Sequence, residues 1–308
     1  MLGGMGEEIV VPEAVRAMLL AGEGEEGKAW LEGLPGLVAA VRERWGVTLG
    51  RPFPGGNVAY VAPAETRSGV AVVVKIQLVT DETREEGAAL RHWGPEAAVE
   101  VLDEAPDLGA LLLERVEPGE PLASRSLEEK LRGIVDLLPR LWTRPAPAGH
   151  AFTPVEESLD GWFSILARPQ DDPDLATLAR EVGEAARVLR EPDLDPVGHL
   201  AVVNRDFHPG NVLSARRVPW LVIDPKALVG EPAFDCGHLI SELLRSAGTE
   251  HAGVVVRHLS DGLGLDPAHV RAWAAVRAAV NAVWQRETGF GDGTWEVACV
   301  RELLATSL

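Results

Sequence analysis

Apolar and polar positions change period along the chain. Residues 12–45 read as helical, with Pro12 placed to open a helix and Pro35 predicted to interrupt the pattern before LVAAVRERW. Residues 57–63 (NVAYVAP) and 69–78 (GVAVVVKIQL) are short, apolar and Val-rich, which predicts strands. The polar turn Glu65-Thr66-Arg67-Ser68-Gly69 separates them. Residues 82–93 (ETREEGAALRHW) return to helical text, and 97–103 and 108–116 predict two further strands. Strand, strand, helix, strand, strand makes a small sheet lobe. No parallel βαβ repeat runs through it, so a doubly wound nucleotide fold is disfavoured.

The turn-rich EPGEPL at 117–122 marks a lobe boundary. Helices are predicted beyond it at 126–142, 154–167 and 173–190, with Pro154 and Pro173 suited to first turns. Residues 191–232 break into short apolar runs, AVV, NVL and WLVI, separated by loops. Helices resume at 233–247, 250–263, 266–287 and 293–306, and Asp266-Pro267 reads as a cap followed by a first-turn proline. The expected division is 1–116, helices and a β-rich lobe, and 117–308, a helical lobe.

Composition adds limits. A chain of 308 residues suits two domains or one large one, and 46% hydrophobic with 25% charged residues is ordinary for a globular protein. The 47 acids against 29 bases give a formal net charge of -18. That disfavours nucleic acid and anionic membrane as partners, and it permits a cationic substrate. The only lysines are Lys28, Lys75, Lys130 and Lys226. Cys236 and Cys299 cannot build a disulfide framework and read as buried small hydrophobes. The opening MLGGMGEEIVVPEAV lacks a basic signal-peptide start, and no apolar run is long enough to span a membrane, so a cytoplasmic location is expected.

The densest chemistry lies in VNRDFHPGNVLSARRVPWLVIDP, residues 203–225. A short strand leads into Asn204-Arg205-Asp206, Asn211 follows, and a second strand ends at Asp224. Phosphoryl transfer needs this inventory: a carboxylate to orient the attacking hydroxyl, and oxygen ligands to hold Mg²⁺ against the phosphates. The spacing sets Asp206 and Asn211 at opposite ends of one tight loop, with Asp224 as a second metal ligand. Upstream, a kinase requires a lysine on a sheet strand and a helix glutamate to hold it. Lys75 sits in AVVVKIQL, and Glu86 in the next helix is its expected partner, with Glu85 competing. Pro54-Gly55-Gly56-Asn57 precedes the strand as a candidate phosphate-covering turn, since glycine lets backbone N–H groups approach phosphate.

Those residues carry a resemblance. The chain resembles the aminoglycoside phosphotransferase-like kinases, and most nearly their streptomycin 6-kinase and hydroxyurea phosphotransferase branch. FHPGNVLSARRVPWLVIDPKALVGEPAFD is similar to that branch's catalytic loop, ALLLERVEPGEPL (110–122) to its hinge and EEGAALRHW (85–93) to its lobe helix. The family reads His-Gly-Asp where this chain has Asn204-Arg205-Asp206. The resemblance implies an α+β, two-lobed, protein-kinase-like fold with a small antiparallel-sheet N-lobe and a larger helical C-lobe. It implies ATP and Mg²⁺ as cofactors, Asp206 as catalytic base, Asn211 and Asp224 as Mg²⁺ ligands, and Lys75 at phosphate. It implies adenine contacts near Glu114, Arg115 and Val116.

His208 and Lys226 are accessory candidates, and Asp235 reads as a structural brace for the loop. His238 and Trp284 lie in helical text and read as core. Glu157, Asp160, Asp171 and Asp172 are candidate acceptor contacts or ordinary helix-start acids. The expected function is ATP-dependent O-phosphorylation of a small hydroxylated molecule, a streptomycin-like aminoglycoside or hydroxyurea. A sugar or amino-alcohol metabolite kinase and a non-catalytic nucleotide binder are the alternatives.

Overall fold

A computed structural model describes residues 9–54, 58–168 and 172–307. The chain divides into two compact units, residues 1–87 with 99–116, and residues 88–98 with 117–308.

The first unit opens with α1 (Glu13–Gly22) and α2 (Gly24–Trp45). The predicted break at Pro35 is not observed; α2 runs through it, and the chain breaks earlier, where Gly24 takes a φ of 55°. A proline inside a helix forfeits one hydrogen bond. Here Leu34, Val38 and Val41 hold the helix by burial in the core that the sheet shares, so packing overrides local propensity.

That sheet contains β1 (Val47–Leu49), β2 (Ala59–Thr66), β3 (Ala71–Gln77), β4 (Val101–Ala105) and β5 (Ala110–Glu114). It is antiparallel throughout, in the order β1-β2-β3-β5-β4. Val72, Val74 and Ile76 alternate toward the core on β3. The three-residue β1 is too short to show an alternation in the sequence, and the strand expected at 97–103 lies instead at Val101–Ala105.

Helix α3 (Glu86–Trp93) crosses the division between units. Its later residues belong with the second unit because Ala89, Leu90 and Trp93 are buried and Trp93 Nε1 donates to the Val202 carbonyl at 3.1 Å.

In the second unit, β6 (Pro118–Pro121) is followed by α4 (Leu127–Trp142). Ser126 and Glu129 close a reciprocal cap at the start of α4. Then come β7 (Thr153–Pro154), α5 (Val155–Leu166), α6 (Pro173–Ala185), β8 (Ala201–Asn204), β9 (Val212–Ala215), β10 (Trp220–Val222) and β11 (Ala227–Gly230). Helices α7 (Cys236–Ala247), α8 (Ala252–Leu263), α9 (Pro267–Thr288) and α10 (Thr294–Ala305) complete the unit. Helix α9 is apolar on most of its circumference from Ala272 to Val283 and forms the centre of the helical core, as an all-round hydrophobic helix must. Trp284, read as core, is instead 43% exposed and stacks on Phe290. Cys236 and Cys299 are free and buried. Among the described residues, no helix is long and apolar enough to cross a membrane.

Two small sheets frame one loop. One has the order β10-β9-β6, and the other β7-β11-β8. Strand β8 enters the loop, β9 leaves it, β10 delivers Asp224, and β11 follows Lys226.

Candidate active site

The loop is built on Asn204. Its Oδ1 accepts the backbone N–H of Asp206 at 2.9 Å and of Lys226 at 3.0 Å. The Arg205 N–H donates to the Lys226 carbonyl at 2.9 Å, continuing the β8–β11 ladder past its end. Phe207, fully buried, anchors the turn. One side chain thereby fixes the backbone amides of both the base and the lysine.

Asp235 holds Asn204 in turn. Its Oδ1 accepts the Asn204 N–H at 2.6 Å and its Oδ2 accepts Trp142 Nε1–H at 2.7 Å. Burial pushes the Asp235 carboxyl up to about 7, against the pull of those two hydrogen bonds.

His208 and Gly210 shape the far side of the turn. His208 Nδ1 accepts the Gly210 N–H at 3.1 Å, and a Cβ at Gly210 would lie 2.8 Å from the ring, so only glycine fits. Asn211 Nδ2 donates to the Asp206 carbonyl at 3.3 Å, which turns the amide oxygen away from that bond. The Ile223 N–H donates to the Asn211 carbonyl at 2.9 Å and so draws Asp224 beside Asn211. Asp224 has a φ of 51°, the only non-glycine residue with positive φ among those described. Aspartate tolerates this left-handed conformation better than most residues, and such strain concentrates at functional sites.

Asn211 and Asp224 offer an amide oxygen and a carboxylate from adjacent backbone. That hard-oxygen donor set fits Mg²⁺.

The Asp206 carboxylate is partly buried beside one cation and one imidazole. Lys226 Nζ lies 3.6 Å from Oδ2, and His238 Nε2 lies 3.5 Å from Oδ1. Burial raises its pKa, but the charges of Lys226 and Arg277 outweigh it and hold the group below the usual carboxylate value. Burial and Arg277 push His238 down to about 3. Arg277 lies on α9 with its guanidinium 5.4 Å from the Trp162 ring centre. Ligand atoms of Asp206, His208 and His238 lie within 4.8 Å of one another, the composition of a cation site. The surrounding field opposes that use, because Lys226 and Arg277 bear on the same carboxylate and His208 Nδ1 is engaged by Gly210.

His238, in text that predicts a core position, reaches the base instead. No spacing in the sequence links it to the loop; only the placement of the first turn of α7 does.

In the first unit, Lys75 Nζ donates to Glu86 Oε2 at 2.6 Å, and both residues are buried. The structure thus pairs Lys75 with Glu86 and not with Glu85. Glu114 ends β5, and its Oε2 accepts the Glu100 N–H at 2.9 Å; Arg115 and Val116 follow. Gly55, Gly56 and Asn57 lie outside the described residues, as does Asp171. Glu157 and Asp160 are exposed on α5. Asp172 caps α6 and pairs with Arg286, so its carboxylate serves the fold.

Residues 44–289 match the family model described as aminoglycoside/hydroxyurea antibiotic resistance kinase. The chain is 33% identical to streptomycin 6-kinase of Streptomyces griseus over 97% of this chain and 98% of that one. It is 31% identical to hydroxyurea phosphotransferase of Kitasatospora aureofaciens over 92% of this chain and 83% of that one. Among solved structures, an aminoglycoside phosphotransferase complexed with ADP and hygromycin B superposes with a TM-score of 0.60 at 16% identity, over 88% of this chain and 99% of that one. A choline kinase from Streptococcus pneumoniae gives 0.59 at 16% identity, over 87% and 97%. The fold is therefore the α+β, protein-kinase-like fold that the sequence implied.

Proposed function

Because the chain belongs to the aminoglycoside/hydroxyurea antibiotic resistance kinase family, we propose that it transfers the γ-phosphoryl group of ATP to a hydroxyl of a small molecule, a streptomycin-like aminoglycoside or hydroxyurea. The observation that carries this reading is the Asn204-centred loop, which holds Asp206, Asn211, Asp224 and Lys226 on one hydrogen-bonded frame.

Asp206 orients the acceptor hydroxyl and takes its proton. The acceptor oxygen bonds to the γ-phosphorus as the bond from that phosphorus to the β-bridging oxygen breaks, and ADP leaves. The depressed pKa keeps Asp206 ionised at neutral pH, so that it can accept a hydrogen bond from the acceptor hydroxyl. Asn211 and Asp224 would hold Mg²⁺. When bound, the ion neutralises phosphate charge. Lys75, held by Glu86, takes the α- and β-phosphates, and backbone groups at Glu114, Arg115 and Val116 take the adenine. Lys226 and His208 are accessory groups beside the phosphoryl acceptor.

The test is acceptor-dependent ADP release with streptomycin, hydroxyurea, choline and simple sugars. Turnover of streptomycin or hydroxyurea is expected. Turnover of choline or a sugar alone would identify a metabolite kinase, and ADP release with none of them would identify a nucleotide binder. Asp206→Asn is expected to lower kcat by about 10²–10⁴ while ATP still binds.

A further inference from the structure

His238 is held more firmly than an incidental neighbour of Asp206 would be. It follows Gly237, where a Cβ would lie 3.3 Å from the Trp273 carbonyl oxygen, so α7 packs tightly on α9 at this turn. The His208 ring meets the His238 ring edge-on, with centres 5.5 Å apart and planes at 85°. Backbone packing sets where His238 starts, and an aromatic edge limits how its ring turns. Three residues earlier on the same segment, Asp235 holds the Asn204 N–H. Residues 235–238 therefore brace the loop twice, once at its backbone and once at its carboxylate.

We propose that His238 is a positioning residue for phosphoryl transfer, holding Asp206 Oδ1 through its Nε2–H while Lys226 holds Oδ2. The proposal rests on the reading of Asp206 as the base. An ionised carboxylate only accepts hydrogen bonds, so the nitrogen that faces it must carry the proton. Burial keeps the ring neutral, and that single proton then belongs on Nε2. No proton passes to His238 in the reaction. A carboxylate turns easily about its last torsion, and one lysine on a flexible stem leaves that torsion loose. A second contact on the other oxygen, at 3.5 Å and able to shorten when the acceptor binds, fixes the carboxylate plane.

The test compares the wild type, His238→Ala and His238→Gln in kcat, in KM for ATP and acceptor, and in melting temperature. Glutamine can set an N–H donor where Nε2 stands. His238→Ala is expected to lower kcat about 10–100-fold with KM for ATP within about twofold, and His238→Gln to recover most of the loss. Wild-type kcat in His238→Ala, or His238→Gln no better than His238→Ala at equal melting temperature, overturns the proposal. A second readout needs no acceptor: the ¹⁵N spectrum of the full chain should show His238 neutral and protonated on Nε2, with shifts that move in Asp206→Asn. A ring protonated on Nδ1, or shifts indifferent to Asp206→Asn, also overturns it. If the wild type turns over no acceptor, the reading of Asp206 fails, while the nitrogen spectrum still decides the contact.

Discussion

Asp235 Oδ1 accepts the backbone N–H of Asn204 at 2.6 Å, although burial favours the protonated form of that carboxyl. The native state keeps the proton to about pH 7, and the unfolded chain releases it near 3.8. Between those values the unfolded state binds fewer protons, so this group's contribution to stability is lost as pH rises. In urea unfolding, the wild-type midpoint is expected to fall from pH 4 toward pH 7 relative to Asp235→Asn, which cannot titrate. At low pH, Asp235→Asn is expected to be the less stable by about 1–3 kcal/mol, because its amide cannot accept from both Asn204 and Trp142.

Removing the Asn204 side chain should loosen the base and Lys226 together. Asn204→Ala strips the acceptor from two backbone N–H groups. Each costs about 1–3 kcal/mol if left unsatisfied. A lower urea midpoint and a large fall in kcat are expected, with the nucleotide Kd changed far less. Calorimetric titration beside steady-state rates checks this.

Lys75 and Glu86 allow fold and chemistry to be separated. Glu86→Ala leaves a buried ammonium without its carboxylate and is expected to destabilise by about 3–5 kcal/mol. Replacing the pair together, Lys75→Met with Glu86→Leu, should recover much of that stability, because well-packed apolar residues often match a buried ion pair. The double variant should remain inactive. Chemical denaturation and ADP release, measured on the same samples, distinguish the two effects.

A second buried acid, acting through a histidine, makes a prediction of the same sign in a higher pH window. His269 Nδ1 lies 2.9 Å from Glu231 Oε2, and that hydrogen bond raises the imidazole pKa above 6.5. A raised histidine stabilises below its unfolded pKa, and the contribution is lost as pH rises through the folded value. The stability gap between the wild type and His269→Gln is expected to be wide at about pH 6 and narrow at about pH 9 in thermal melts.

Where local chemistry decided local structure, the sequence could be read directly. The Val-rich text around Lys75 is β3, and the residues from Asn204 to Asp224 form one loop and the strands beside it. Where packing between distant segments decided, it could not. Pro35 signals a break that the buried face of α2 overrules. Strand β11, only Ala227–Gly230, exists because it pairs with β8 on one side and β7 on the other. His238 stands in apolar helical text 32 positions after Asp206, and nothing in that interval marks the tertiary contact that the fold makes.

The positive groups around Asp206 sit in a molecule whose formal net charge is -18. ATP is itself a polyanion, so at long range the protein repels the ligand that it must hold at short range. Ionic strength acts on these two distances differently, since screening is strongest between well-separated exposed charges. Added salt should therefore quicken nucleotide capture while weakening the bound state, a kinetic salt effect opposite in sign to that of an electrostatically steered enzyme.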